Sequence, residues 1–135
     1  MPYPDLMTMP MRQELTRLGV EELTTPEQVD AFMTEPTGTA MIVFNSVCGC
    51  AAGMARPAVA LAMQHDRRPD RIVSVFAGQD VEAADKARSY FPDLPPSSPS
   101  FVLMKNGQTT HYMPRQMIEG RDAHAIAKDL IAAFD

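Results

Sequence analysis

Two apolar runs, "TAMIVFNS" (39–46) and "DRIVSVFAG" (70–78), constrain the fold of this chain more than any other feature. Neither shows the alternation of a half-solvated strand, so each predicts a strand buried on both faces. Between them lies "GCAAGMARPAVALAMQH", alanine-rich and expected to be helical to about His65. Pro57 is expected to kink that helix, because proline supplies no amide donor. Two buried strands joined through a helix make a parallel crossover, which needs helical cover on both faces of a sheet.

The flanking segments extend this pattern. Asp80 is expected to cap a helix over "VEAADKARSYF" that ends before Pro92. "SFVLMKNGQTTHYM" (100–113) predicts two strands turning at Asn106-Gly107, and "RDAHAIAKDLIAAF" spaces Ile126, Leu130 and Phe134 along one face of a closing helix. Upstream, "TTPEQVDAFMTE" carries a capping box at Thr25 and Gln28, and Pro10 is expected to open a short helix that Gly19 closes. From residue 26 the order is α-β-α-β-α-β-β-α. That order predicts an α/β, thioredoxin-like fold: a central mixed sheet flanked by helices on both faces, with an N-terminal helical extension. The 135 residues form one expected domain, with 1–25 as the extension and 26–135 as the core.

Composition excludes several functions. A net charge of −5 is wrong for nonspecific nucleic-acid binding. No apolar run is long enough to span a bilayer, and "MPYPDLMTMPMRQELTRLG" lacks the hydrophobic stretch of a secretory signal, so a cytoplasmic location with no membrane partner is expected. His65, His111 and His124 lie in separate elements without ligand spacing, so no metal site is expected. A soft metal bridging two chains through both thiols is the alternative.

The two cysteines, Cys48 and Cys50, then carry the functional weight. Cys48 falls where a buried strand gives way to a helix, where unpaired amides and the helix dipole favour a thiolate. Residues 36–65 contain no carboxylate, which removes like-charge repulsion along that stretch. At pH 7.5, a fall in pKa from about 8.5 to about 7 raises the thiolate fraction roughly eightfold, yet attack gains less than about twofold because nucleophilicity falls too. The larger benefit is a better leaving group. Such a sulfur suits taking an adduct and handing it on. With only Gly49 between them, a Cys48–Cys50 bridge is expected to close under strain and to be easily reduced. Asn45 and Ser46 are candidates to hydrogen-bond the cysteine loop, with plain turn formation as the alternative. Arg56 is a long cation on the Cys48 side for the thiolate or a substrate carboxylate; a surface arginine paired with a nearby acid is the equal alternative. Ser98-Pro99, just before a strand, is a candidate cis bond whose backbone docks an extended substrate chain.

The segments "NSVCGCAAGMARPA", "LPPSSPSFVLMKNG" and "IEGRDAHAIAKDLIAAFD" resemble the bacilliredoxin family of thioredoxin-like proteins. The resemblance covers nearly the whole chain. It implies a cytosolic thiol–disulfide oxidoreductase that removes bacillithiol from mixed disulfides on client proteins, with Cys48 attacking and Cys50 resolving. No bound cofactor is implied. Bacillithiol is the adduct and co-substrate, and the partners are S-thiolated clients together with the low-molecular-weight thiol and its reductase. Unlike thioredoxin, the chain has no Trp, and "AMIVFN" holds no ionisable group that could deprotonate a resolving thiol. Two other readings stand beside this one: a weak disulfide isomerase using Cys48 alone, and a noncatalytic CxC module holding soft metal or a partner protein.

Overall fold

The structure, a computed structural model, describes residues 3–34 and 38–134. Glu35, which ends the helical segment read upstream of the first apolar run, lies outside them. The strands are β1 (Glu21–Glu22), β2 (Thr39–Asn45), β3 (Arg71–Phe76), β4 (Ser100–Lys105) and β5 (Gln108–Met113). They form one sheet in the order β1-β3-β2-β4-β5. β1, β3 and β2 run parallel, while β4 and β5 add an antiparallel edge. The helices are α1 (Asp5–Thr16), α2 (Pro26–Met33), α3 (Arg56–Ala62), α4 (Val81–Ser89) and α5 (Ala123–Ala133).

The two apolar runs become the central strands, and their residues alternate between two cores as a doubly covered sheet requires. Met41 and Val43 of β2 pack with Leu15, Val59, Ile126 and Leu130, under α1, α3 and α5. Ile42 and Phe44 pack on the opposite face with Val29, Phe32, Ala83 and Ala87, under α2 and α4. The hairpin turns at Asn106 (φ 51°) and Gly107 (φ 83°), both left-handed, as the favoured two-residue turn requires. In α5, Ile126 and Leu130 are fully buried and Phe134 packs half-buried at the margin.

Four local expectations are corrected. Pro10 does not open α1; the helix begins five residues earlier and carries Pro10 inside it. Tertiary anchors hold the helix despite that proline. Tyr3 exchanges two hydrogen bonds of 2.7 Å with the Gln79 side chain, and Arg12 reaches Asp80 at 2.7 and 3.0 Å. That pairing explains the second correction: Asp80 stands at the N-cap of α4, but its carboxylate holds Arg12 rather than capping an amide. Third, Thr25 does accept the Gln28 amide, yet the Gln28 side chain reaches back to the Thr24 amide, one residue before the cap. Fourth, the helix holding Pro57 opens with a wide π turn over Ala51–Ala55, and α3 proper begins at Arg56. The Arg56 amide reaches back five residues to the Ala51 carbonyl. Widening the turn just before Pro57 is how the helix makes room for a ring that would strike the carbonyl four residues back.

β1 was not foreseen. Its two glutamates carry no strand pattern, and they pair with Val73 and Ser74 at the edge of the sheet. The segment expected to be a helical extension therefore supplies one strand as well as α1.

Candidate active site

The strand register assembles the site. β2 and β4 are antiparallel with Phe44 opposite Ser100, so the chain leaving β2 and the chain entering β4 share one end of the sheet. Asn45, Ser46 and Cys48 lie on the first of these, and Ser98 and Pro99 lie on the second.

Asn45 is buried at the end of β2, and its side-chain oxygen accepts the Ser46 amide at 2.9 Å. The Ser46 hydroxyl accepts the Cys48 amide at 3.2 Å. Helical geometry starts at Gly49, and the Cys48 carbonyl accepts the Ala51 and Ala52 amides. Cys48 therefore stands where a helix N-cap residue would, half-exposed, as its position at a strand-to-helix junction predicts.

Four neighbouring groups favour a charge on its sulfur. Burial pushes the Cys48 thiol up, but the Ser46 hydroxyl, the Ala51 and Cys50 amides and the Cys50 thiol together outweigh it and hold Cys48 below the ordinary thiol value. Cys50 is displaced the other way, by burial first and then by the negative charge and hydrogen bond of Cys48. The pair thus sorts into one sulfur inclined to ionise and one inclined to keep its proton. Both thiols are free and half-exposed. Gly49 is exposed, its φ is not left-handed, and a Cβ there would meet nothing within 4 Å. The reduced loop by itself does not demand glycine at that position.

Replacing Ser46 by alanine removes the hydroxyl from this set. A hydrogen bond to a charged group contributes about 1.5–3 kcal/mol, so alkylation of Cys48 at pH 7 should slow about threefold, with its pH profile moved upward. The measurement is the iodoacetamide rate between pH 5 and 9. An unmoved profile would mean the amides alone hold the thiolate.

Arg56 is neither a surface residue nor a contact of either sulfur. Its side chain is 2% exposed, and its hydrogen bonds run beneath the cysteine loop: to the Ser46 carbonyl at 2.8 Å, to the Asn45 side-chain oxygen at 3.0 Å and to Glu14 of α1 at 2.9 Å. Of the alternative, a surface arginine paired with a nearby acid, the acid partner is present but the surface position is not. The cation whose charge does act on the thiols is Arg115, in the short turn Arg115–Met117 after β5. It pairs with Glu119 at 3.0 Å, and both charges are felt by Cys50. The i,i+4 Arg–Glu spacing was visible in the sequence, but nothing there placed it beside the cysteines. Glu119 also shows that a carboxylate-free stretch of sequence is not a carboxylate-free site.

The Ser98-Pro99 bond is cis, Pro99 is buried and Ser98 is half-exposed. Among the described residues no hydrogen bond engages the Ser98 N–H or C=O. No cluster of three or more His, Cys, Asp or Glu among the described residues is placed to hold a metal, and no helix there is long and apolar enough to cross a membrane.

A family described as disulphide isomerase matches residues 3–135. A bacilliredoxin of Salinibacter ruber is 56% identical over 137 residues, covering 100% of this chain and 81% of the relative. A bacilliredoxin of Shouchella clausii is 50% identical over 133 residues, covering 98% of this chain and 92% of the relative. The chain belongs to the bacilliredoxin family. Among solved structures, a putative oxidoreductase with a thioredoxin fold superposes with a TM-score of 0.62 at 15% identity, over 86% of this chain and 94% of the other. The thioredoxin of Fasciola hepatica gives 0.59 at 18% identity, over 86% and 100%. Identities that low speak to the fold alone, and the fold is thioredoxin-like. Bacilliredoxin membership and that fold together support a role of the thiol–disulfide oxidoreductase type.

Proposed function

We propose that this bacilliredoxin-family chain removes bacillithiol from mixed disulfides on cytosolic proteins, with Cys48 as nucleophile and Cys50 as resolving thiol. The observation that carries the reading is the opposite bias of the two sulfurs: against its burial, the Ser46 hydroxyl and the neighbouring amides hold Cys48 below the ordinary thiol value, while burial and the charge of Cys48 push Cys50 above it. In the first step the Cys48 thiolate attacks the bacillithiol sulfur of the mixed disulfide. The Cys48–bacillithiol disulfide forms, the client's S–S bond breaks and the client leaves as a thiolate. In the second step Cys50 loses its proton to solvent and attacks Cys48, expelling bacillithiol as a thiolate and leaving a Cys48–Cys50 disulfide. Two equivalents of low-molecular-weight thiol, regenerated by their own reductase, return the pair to dithiol and leave as a disulfide. The unengaged backbone of Ser98, next to Pro99, supports a docking role for an extended client chain, by main-chain pairing.

A second reading is favoured by the family's description as disulphide isomerase. An isomerase needs a mixed disulfide that lives long enough to rearrange, and a Cys50 that keeps its proton is slow to cut it short. Intact mass spectrometry of the reduced protein, mixed with a client carrying bacillithiol, tests the first reading. A bacillithiol adduct mapped to Cys48, followed by loss of two hydrogens from the pair, is expected. A client that keeps its bacillithiol while the protein stays a dithiol would overturn it, and rescue of a scrambled client by the same preparation would leave the isomerase.

A further inference from the structure

A cleft of about 400 Å³ opens between the C-terminal end of α4, the Pro96–Ser98 loop and the turn that begins at Arg115. Its wall includes Arg115 and Glu119, the two charges that act on Cys50, and Ser98 of the docking loop. The cleft therefore shares lining residues with the electrostatic surroundings of Cys50, and its size suits a small molecule better than a folded partner.

Arg88 also lines this cleft. Arg12, Arg17, Arg56, Arg68, Arg71, Arg115 and Arg121 have side-chain hydrogen-bond or ion-pair partners in the protein. Among the described residues the Arg88 side chain has only the ring of Phe44, whose centroid is 5.5 Å from its guanidinium carbon. Its Nε is buried with no hydrogen-bond partner. A half-buried cation without an anion is costly, and this chain has 17 acidic residues against 12 basic ones from which a partner could have been drawn. Glu119 does not serve, because it is engaged by Arg115. The planar fork of a guanidinium is suited to a carboxylate.

We propose that this cleft is an anion subsite in which Arg88 binds the carboxylate of the low-molecular-weight thiol that exchanges at Cys48. The proposal rests on the thiol-transfer reading above and names the residue that selects the thiol. Ser98 and Gln116 supply neutral polar groups on the same wall.

The test compares two mixed disulfides of one uncharged cysteine peptide. One carries bacillithiol, whose malyl group bears carboxylates, and the other carries 2-mercaptoethanol, which is neutral. Release of the free peptide thiol by excess reduced protein is followed in a single turnover, over a range of protein concentrations. Arg88→Gln is expected to lower the second-order rate constant for the bacillithiol adduct about tenfold, mainly by raising the half-saturating concentration, and to leave the 2-mercaptoethanol adduct within about twofold. Arg88→Lys keeps the charge and the stem over Phe44 but loses the fork; it should lose about threefold on bacillithiol alone, and it decides the matter if the glutamine variant does not fold. Equal changes on both adducts, or none on either, would overturn the subsite while leaving thiol transfer standing. A wild-type protein that accepts neither adduct would instead overturn the thiol-transfer reading, and the subsite with it.

Discussion

Replacing Cys48 by serine is expected to bring adduct removal down to the uncatalysed rate, whereas replacing Cys50 by serine should leave the first step intact and stop the cycle after one transfer. The asymmetry follows from the electrostatics of the pair. Cys48 is the sulfur whose charge the loop stabilises, through the Ser46 hydroxyl and two backbone amides. The Cys50 side chain supplies only one of these stabilising groups, and its amide stays in place in a serine variant, so the substitution weakens the thiolate without abolishing it. A serine at 48 can accept those hydrogen bonds but cannot form a disulfide, so nothing at position 50 compensates. A serine at 50 still donates its hydroxyl hydrogen to the Cys48 sulfur, yet cannot expel the adduct. Intact mass after one equivalent of bacillithiolated client should show Cys50→Ser carrying one bacillithiol per chain and Cys48→Ser carrying none. Equal trapping by both variants would mean that either sulfur attacks, and the ordering drawn from their opposite shifts would fail. If isomerisation of a scrambled client survives in Cys50→Ser while adduct removal does not cycle, the Cys48-only reading gains.

The same pair sets the pH dependence. The fraction of Cys48 present as thiolate rises as pH climbs through its lowered pKa, and Cys50 follows only at higher pH because its own is raised. Alkylation at neutral pH should therefore label Cys48 first.

How much of this was legible depends on the range of the interactions involved. β2, β3 and the Asn106-Gly107 turn are local statements: a run of apolar residues, or two residues that tolerate left-handed backbone. Sequence periodicity and turn chemistry carry that information. The placement of Cys48 at a strand end was legible for the same reason, since strand and helix abut there in sequence. What escaped was set by distant partners. β1 is two glutamates made into a strand only because β3 offers an edge. Asp80 turned from its capping role because Arg12, 68 residues away in sequence, claimed its carboxylate. Arg115 and Glu119 act on Cys50 only after β4 and β5 have folded back beside β2. Arg56 was legible as a candidate but not in its role, because its acid lies 42 residues upstream in α1, on a helix whose start was itself misread.

Arg56 is where the second large effect is expected, and the physical reason is the depth at which it works. Beneath the cysteine loop this chain places a guanidinium, 2% exposed, whose donors end on the two residues that shape the loop and on Glu14. Methionine at position 56 preserves much of the stem and removes every donor. The Asn45 side-chain oxygen would still hold the Ser46 amide, but the Ser46 carbonyl would lose the hydrogen bond that Arg56 gives it. Leaving buried acceptors unpaired costs about 1–3 kcal/mol each, while Glu14, 45% exposed, can turn to water at little cost. The expected loss is about 3 kcal/mol of stability, read from the urea midpoint at constant m. Function should suffer separately from stability. With Ser46 no longer pinned, its hydroxyl leaves the Cys48 sulfur for part of the time, and the alkylation profile of the still-folded variant should move toward that of Ser46→Ala. Glu14→Gln keeps a hydrogen-bond acceptor for Arg56 and gives up only an exposed charge, so it should cost less than about 1 kcal/mol and leave the profile in place. An Arg56→Met protein with wild-type thiol reactivity would show that the cysteine loop holds its own shape, and that Arg56 supports the fold without reaching the chemistry.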